Sequence, residues 1–374
     1  MRDLNTHSKT KPPADSSSSL GNRSKISPPD NSSAGDCLKV LDINVWSGLD
    51  YLGYVSMGAY ESKAIRLKRY QALLHQIESL SPDVIGVHEA NSLPAYTRKL
   101  ARDLGYDHYS HVGVGGIRMG PLGLPWNLRE GDGILVKHEH NLSHPARQQL
   151  SGGPVGNFFT FNLTDATQVV GVQITFKSQP LFIFTTHWHA SVIDCPEYLA
   201  KLKELKNEHH LSGEKYRAAL QEVAVGAAWR LAEAEGTIDF VRRIAGEHPY
   251  ILMGDFNTIE GTGEISKLLE FGAVDTFRTL NPESAGYTWE PRTNLNIRHY
   301  YSKDDQRPEP SGLYDMLYYT QEMTPQRLDF IFVGPRSLLK NEQISIVSSR
   351  VVLDGIIDGV HASDHFGIYS EIKF

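Results

Sequence analysis

The sequence predicts an α/β protein in which two β-sheets pack face to face with helices outside. Short β-branched runs outnumber segments of helical period and often follow one another directly, which suits paired sheets better than a doubly wound parallel sheet. No internal repeat is present, so a solenoid or propeller is not expected.

Residues 1–36 are dominated by Ser, Pro, Lys, Asp and Asn, and a segment this poor in apolar side chains cannot offset its ordering entropy. They read as a disordered tail, with one folded domain over 37–374. Leu38–Trp46 gives the first strand and carries Asn44 into a Gly- and Tyr-rich loop. Leu67, Tyr70, Leu73, Leu74, Ile77 and Leu80 recur at helical spacing, and Ser81-Pro82-Asp83 stops that helix. Asp83–Glu89 is a second strand ending in an acid, followed by a short helix over 96–104 closed by Gly105. Residues 111–133 are Gly-rich without period and read as a long loop. Strands then follow at 133–136, 158–163, 169–176 and 181–186, the last delivering His187. Helical period returns over 197–245. Tyr250–Asn257 is an apolar run that stops at Asp255 and Asn257, and after an irregular stretch at 280–326 two further units carry Asp329 and then Asp364-His365.

The bulk numbers exclude several classes. The 374 residues are 40% hydrophobic and 22% charged, ordinary for a globular chain, and the net charge of -7 argues against a protein that blankets nucleic-acid phosphates, although a local basic groove stays open. Cys37 and Cys195 give neither a disulfide framework nor a metal-thiolate spacing, as expected of a cytoplasmic chain. No apolar run approaches the roughly 18 residues of a membrane span and no signal-peptide h-region is visible, so any membrane contact is expected to be peripheral.

The polar groups at strand ends carry the chemistry. Taken singly, Asp255 and Asn257 fit an ordinary Asx turn, and an isolated histidine fits a structural role. Together, Asn44, Glu89, His187, Asp255, Asn257, Asp329, Asp364 and His365 form a set of oxygen donors, carboxamides and imidazoles without a thiol. Hard oxygen donors suit Mg²⁺, and Glu89 with help from Asn44 fits that need. His138 and His140 sit two apart, but their polar flanks read as an exposed turn rather than a zinc site, and His209-His210 read as a polar linker. An imidazole beside a carboxylate is suited to deprotonate water, which makes His365 the candidate base and Asp329 its orienting partner. With a metal and His187 near the developing charge, the set describes hydrolysis of a phosphate ester.

In order along the chain, Asn44, Glu89, Thr186-His187, Gly254-Asp255-Phe256-Asn257, Arg327-Leu328-Asp329-Phe330 and Ser363-Asp364-His365 resemble the endonuclease/exonuclease/phosphatase superfamily over nearly all of 38–374. Thr186-His187-Trp188-His189-Ala190, the helix around Trp229 and the Tyr287–Asn294 segment are most similar to the neutral sphingomyelinases. The resemblance implies a four-layer α/β/β/α sandwich of two mixed, largely antiparallel sheets, Mg²⁺ dependence, and cleavage of sphingomyelin to ceramide and phosphocholine. It also implies roles: Glu89 and Asn44 hold the metal, His365 is the base oriented by Asp329, and Asp364 lies beside it near the metal. Asp255 and Asn257 orient phosphate or water, and His187 stabilises the transition state.

Two departures stand out. His88 precedes Glu89 where a Gln, Glu or apolar residue is more usual, and either perturbs the metal site or packs. The membrane segments of the animal enzymes are missing, so a bilayer substrate would have to be met by peripheral contact, with Leu122, Leu124 and Trp126 dipping into the interface. A monomer acting on a phospholipid is the expectation. The alternatives are a nuclease or another phosphoesterase using the same residues, and a non-catalytic binding module.

Overall fold

The leucine- and β-branched run at the start of the domain forms β1 (Cys37–Asn44), almost wholly buried because it lies inside a sheet. The computed structural model describes residues 37–49, 60–119, 122–150, 167–208, 211–297 and 324–374. The tail over 1–36 and the strand expected at 158–163 lie outside the described residues, as do His209-His210.

Ser62 caps α1 (Lys63–Leu80), its hydroxyl accepting from Ile65 N at 3.2 Å. The helix buries Arg69, Ala72, Leu73 and Ile77, whereas Leu67 is 55% exposed, so the inward stripe includes a cation and leaves out one of the leucines expected on it. There follow β2 (Val84–Asn91), α2 (Ala95–Leu104), β3 (Tyr106–Met119) and β4 (Leu122–Lys137). The last two correct the expectation of a loop over 111–133: they form an antiparallel hairpin whose backbone pairing runs from Tyr106↔Lys137 to Met119↔Leu122. Glycine contributes no side chain to an alternating pattern, so this strand pair was silent in the sequence.

The chain continues through β5 (Ser143–Gln149), β6 (Gln168–Phe176), β7 (Gln179–His187), α3 (Pro196–Asn207), α4 (Gly213–Ala245), β8 (Tyr250–Asp255), α5 (Gly263–Phe271), β9 (Val274–Asp275) and α6 (Thr276–Leu280). It ends with β10 (Asp329–Gly334), α7 (Arg336–Lys340), β11 (Ser345–Val352) and β12 (Gly367–Lys373). Between β4 and β5 a short 3-10 turn holds His138 and His140. His140 is buried and packs on Phe176 at 5.6 Å between ring centroids, which corrects the exposed-turn expectation for that residue.

Two six-stranded sheets result, in the orders β11-β12-β1-β2-β4-β3 and β5-β6-β7-β8-β10-β9. Their facing sides share one core, where Val40, Val84 and Ile134 of the first sheet meet Val172, Ile183, Met253 and Ile331 of the second. Leu73, Ile77 and Leu100 cover the outer face of the first sheet, and Phe240, Val241 and Leu268 cover that of the second. The layers are therefore α/β/β/α, as expected.

Each sheet contains one parallel pair, β1/β2 and β7/β8, joined by helical crossovers. Parallel strands end on the same side, so Asn44, Glu89, His187 and Asp255 all arrive at one edge. The antiparallel neighbours begin there: Asp329 at the head of β10 stands opposite Asp255, and His365 lies two residues before β12.

Candidate active site

Asp255 forms the expected Asx turn with one carboxylate oxygen and turns the other toward Asn44, His187 and His365. Asp255 Oδ1 accepts from Asn257 N at 3.0 Å, and Asn257 takes a left-handed φ of 46°. Its Nδ2 then donates to Trp188 O at 2.9 Å, bracing the segment after β7. Asp255 Oδ2 is thereby aimed into the site: Asn44 Nδ2 donates to it at 3.0 Å, and the Nε2 atoms of His187 and His365 both lie 3.7 Å away. Gly254 makes this possible, because a Cβ there would stand 2.1 Å from Thr186 O on β7.

His365 and Asp329 meet as the sequence implied. His365 Nδ1 donates to Asp329 Oδ2 at 2.9 Å, which fixes the tautomer and turns Nε2 toward Asp255. The head of β10 is held by Thr288, whose hydroxyl accepts from Leu328 N at 3.0 Å and Asp329 N at 3.2 Å. Trp289 lies edge-on to the His365 ring at 5.1 Å. Asn294 Nδ2 donates to Ser363 O and Asp364 O at 3.1 and 2.9 Å, tying the Tyr287–Asn294 segment to the chain just before His365.

Burial alone would lower the His365 pKa, but the Asp329 and Asp255 carboxylates raise it well above the ordinary histidine value. Asp255 responds in the opposite sense: burial works against its charge, yet His365 and His187 pull its carboxyl below the usual range. Burial raises Asp329 despite His365. The result is an imidazole held as its cation between two carboxylates, with Nδ1 toward Asp329 and Nε2 toward Asp255, and Nε2 can accept a proton from water once its own has left.

Glu89 and Asp364 form the acidic side. Asn44 Nδ2 also donates to Glu89 Oε1 at 2.9 Å, while Asn44 Oδ1 accepts from Trp46 N at 2.9 Å. A carboxamide oxygen has two lone pairs, so one remains for a cation. Burial pushes the Asp364 carboxyl up to about 7, and the neighbouring Glu89 charge adds to this against His365 and Arg69. Two acids that repel one another amid oxygen donors, without a thiol, are a donor set that fits a hard divalent ion. Asp255, Asp329 and His365 also bring ligand atoms within 4.8 Å of one another.

Several supporting groups had no signal in the sequence. Arg69 is buried and donates to Glu61 Oε1 at 2.8 Å and to Ala362 O at 2.9 Å, with its guanidinium 4.4 Å from the Trp46 ring, so α1 clamps the loops on both sides of the acidic pair. From α4, Glu233 Oε2 accepts from His189 N at 2.8 Å and fixes the segment after His187. The His189 ring stands against Trp229 at 4.5 Å, and burial, Arg230 and His187 lower its pKa to about 4, so it is neutral at pH 7. His88 is buried between Asp42 and Asp132 rather than facing the acidic pair.

The model of the Endonuclease/Exonuclease/phosphatase family matches residues 43–365, a span that runs from just before Asn44 to His365. This chain belongs to that family. Its members are metal-dependent phosphoesterases. Solved structures with this fold include D. rerio TDP2 complexed with single-strand DNA product, at 15% identity and a TM-score of 0.54, covering 90% of this chain and 99% of that one. The human Nocturnin catalytic domain with bound sulfate matches at 13% identity and 0.53, covering 90% and 94%. An endonuclease/exonuclease/phosphatase family protein from Bacteroides thetaiotaomicron matches at 15% and 0.55, covering 90% and 98%. No curated protein sequence matches the chain. At these identities the likeness concerns the fold of the family.

Proposed function

We propose that this endonuclease/exonuclease/phosphatase protein is a Mg²⁺-dependent phosphodiesterase that cleaves a phospholipid of sphingomyelin type to ceramide and phosphocholine. The observation that carries the lipid reading is the wall beyond His187. Two residues past that imidazole, neutral His189 stands against Trp229, and Val225 lies one helical turn away on α4. Trp229 and Val225 are 37% and 45% exposed, an apolar surface beside the phosphate-handling groups that suits a lipid better than a polyanion.

In the reaction, Glu89 with Asn44 and Asp364 would hold Mg²⁺, which supplies charge neutralisation for the phosphate. His365 Nε2 accepts the proton of a water as its oxygen attacks phosphorus, and Asp329 stabilises the resulting imidazolium. His187 and the Asn257 segment orient the phosphate; the bond from phosphorus to the ceramide oxygen breaks and that oxygen takes a proton from solvent, replacing the one His365 passes back to solvent. Among the described residues no helix is long and apolar enough to cross a membrane. In this reading the chain acts as a monomer at the surface of a bilayer, from the cytoplasm. The wedge expected of Leu122, Leu124 and Trp126 concerns side chains outside the described ones, and residues 50–59 and 298–323 lie outside the described residues as well.

A substrate panel with Mg²⁺ or EDTA tests this reading. Sphingomyelin vesicles should yield phosphocholine only with the metal, and lysophosphatidylcholine, inositol-phosphoceramide, plasmid DNA and abasic DNA should react more slowly. Cleavage of DNA without lipid would overturn it in favour of a nuclease.

A further inference from the structure

Directly beneath the catalytic edge, the core between the sheets changes character. Around it, apolar side chains such as Val40, Val84, Val172 and Ile183 face each other between the sheets. Here His88 on β2 places Nε2 2.8 Å from Asp42 Oδ1 on β1 and Nδ1 3.2 Å from Asp132 Oδ1 on β4. The contacts cross to the other sheet. Thr185 Oγ1 on β7 lies 3.2 Å from His88 Nε2, and Gln168 Nε2 on β6 donates to Asp132 Oδ2 at 3.0 Å. All five residues are buried, and Asp42 Oδ2 has no hydrogen-bond partner among the described residues.

Such a seam is a poor way to stabilise a fold. Taking carboxylates and an imidazole out of water costs more than packing apolar side chains of the same volume. Space is also reserved for it: a Cβ at Gly86 would stand 2.7 Å from Asp42 Oδ1 and 2.9 Å from Thr185 Oγ1. What the seam gains is a fixed geometry. Side chains two apart on a strand share a face, so Thr185 and His187 both point toward β2, and the His88 and His187 rings stand edge to face with centroids 6.0 Å apart. The next residue on β2 is Glu89 of the acidic pair.

We propose that His88 is a positioning residue for His187, bolting the end of β7 to β2 so that the imidazole facing the phosphate keeps its distance from the acidic pair. This rests on the reading of His187 as a phosphate-facing group. It does not depend on which phosphodiester is cleaved.

A double-mutant cycle on bis(p-nitrophenyl) phosphate with Mg²⁺ tests it. His88→Gln is expected to lower kcat by about 10–100-fold, the usual range for groups that orient a site residue, with KM and the apparent Mg²⁺ affinity within about threefold. Added to His187→Ala it should change kcat by less than about twofold, because its route of action has been removed. An equal loss in both backgrounds, or no loss in the single variant, overturns the proposal. If His187→Ala alone leaves kcat intact, the role of His187 fails and the proposal with it. Should His88→Gln not fold, Thr185→Val breaks the same link while keeping the imidazole, and the same background dependence is required of it.

Discussion

His365 Nδ1 stands 2.9 Å from Asp329 Oδ2, and Asp329 Oδ1, fully buried, has no hydrogen-bond partner among the described residues. Burying a carboxylate with one oxygen unpaired costs stability, and its contact with Nδ1 sets the orientation of the His365 ring.

Removing that contact should therefore damage turnover more than folding. Asp329→Asn is expected to lower kcat by about 10²-fold or more, and His365→Ala by at least as much, within the range of general-base catalysis. Steady-state kinetics together with thermal melts check this. Appreciable activity in His365→Ala with a native melting curve would remove it as the base.

Metal binding should strengthen with pH. The Asp364 carboxyl, pushed up to about 7 by burial and by Glu89, must lose its proton to share a cation. A raised carboxyl keeps extra protons on the folded chain between 3.8 and about 7, so the metal-free protein loses stability as pH rises through that window, and the ion restores it. Calorimetric Mg²⁺ titrations should show affinity rising by up to about tenfold per pH unit below pH 7 and levelling above it. A flat profile would show that Asp364 does not take part.

Gly254→Ala tests the close approach of β8 to β7. A Cβ 2.1 Å from Thr186 O forces the strands apart, which overpacking data put at about 1–3 kcal/mol. Urea denaturation measures the loss, and kcat should fall with it because His187 and Asp255 are register partners.

The apolar wall makes a separate prediction. Replacing both Val225 and Trp229 by serine should weaken binding to sphingomyelin vesicles while sparing a soluble phosphodiester, since neither side chain touches the base or the acids. Equal losses on both substrates would assign the pair to folding instead.

Much of this was legible because the information was local. Apolar runs that end in Asn44, Glu89, His187 and Asp255 mark parallel strands ending at one edge, and Asp329 and Ser363-Asp364-His365 complete the set in order. The β3/β4 hairpin was hidden by its glycines, and β5 by being a polar strand at the edge of its sheet. Arg69 was illegible for another reason: its partner Ala362 lies 293 residues away, and nothing in a helical period distinguishes a cation that points inward. His88 could be singled out from sequence but not interpreted, because its partners Asp42, Asp132 and Thr185 come from separate strands far apart in the chain.

The central claim is that water attacks phosphorus in a sphingomyelin-type lipid under the control of His365. Hydrolysis of sphingomyelin vesicles in ¹⁸O-labelled water with Mg²⁺, read by mass spectrometry, tests it most directly. One ¹⁸O is expected in the phosphocholine and none in the ceramide, with loss of both products in His365→Ala. Label in the ceramide, or no phosphocholine from the unmodified chain, would contradict it.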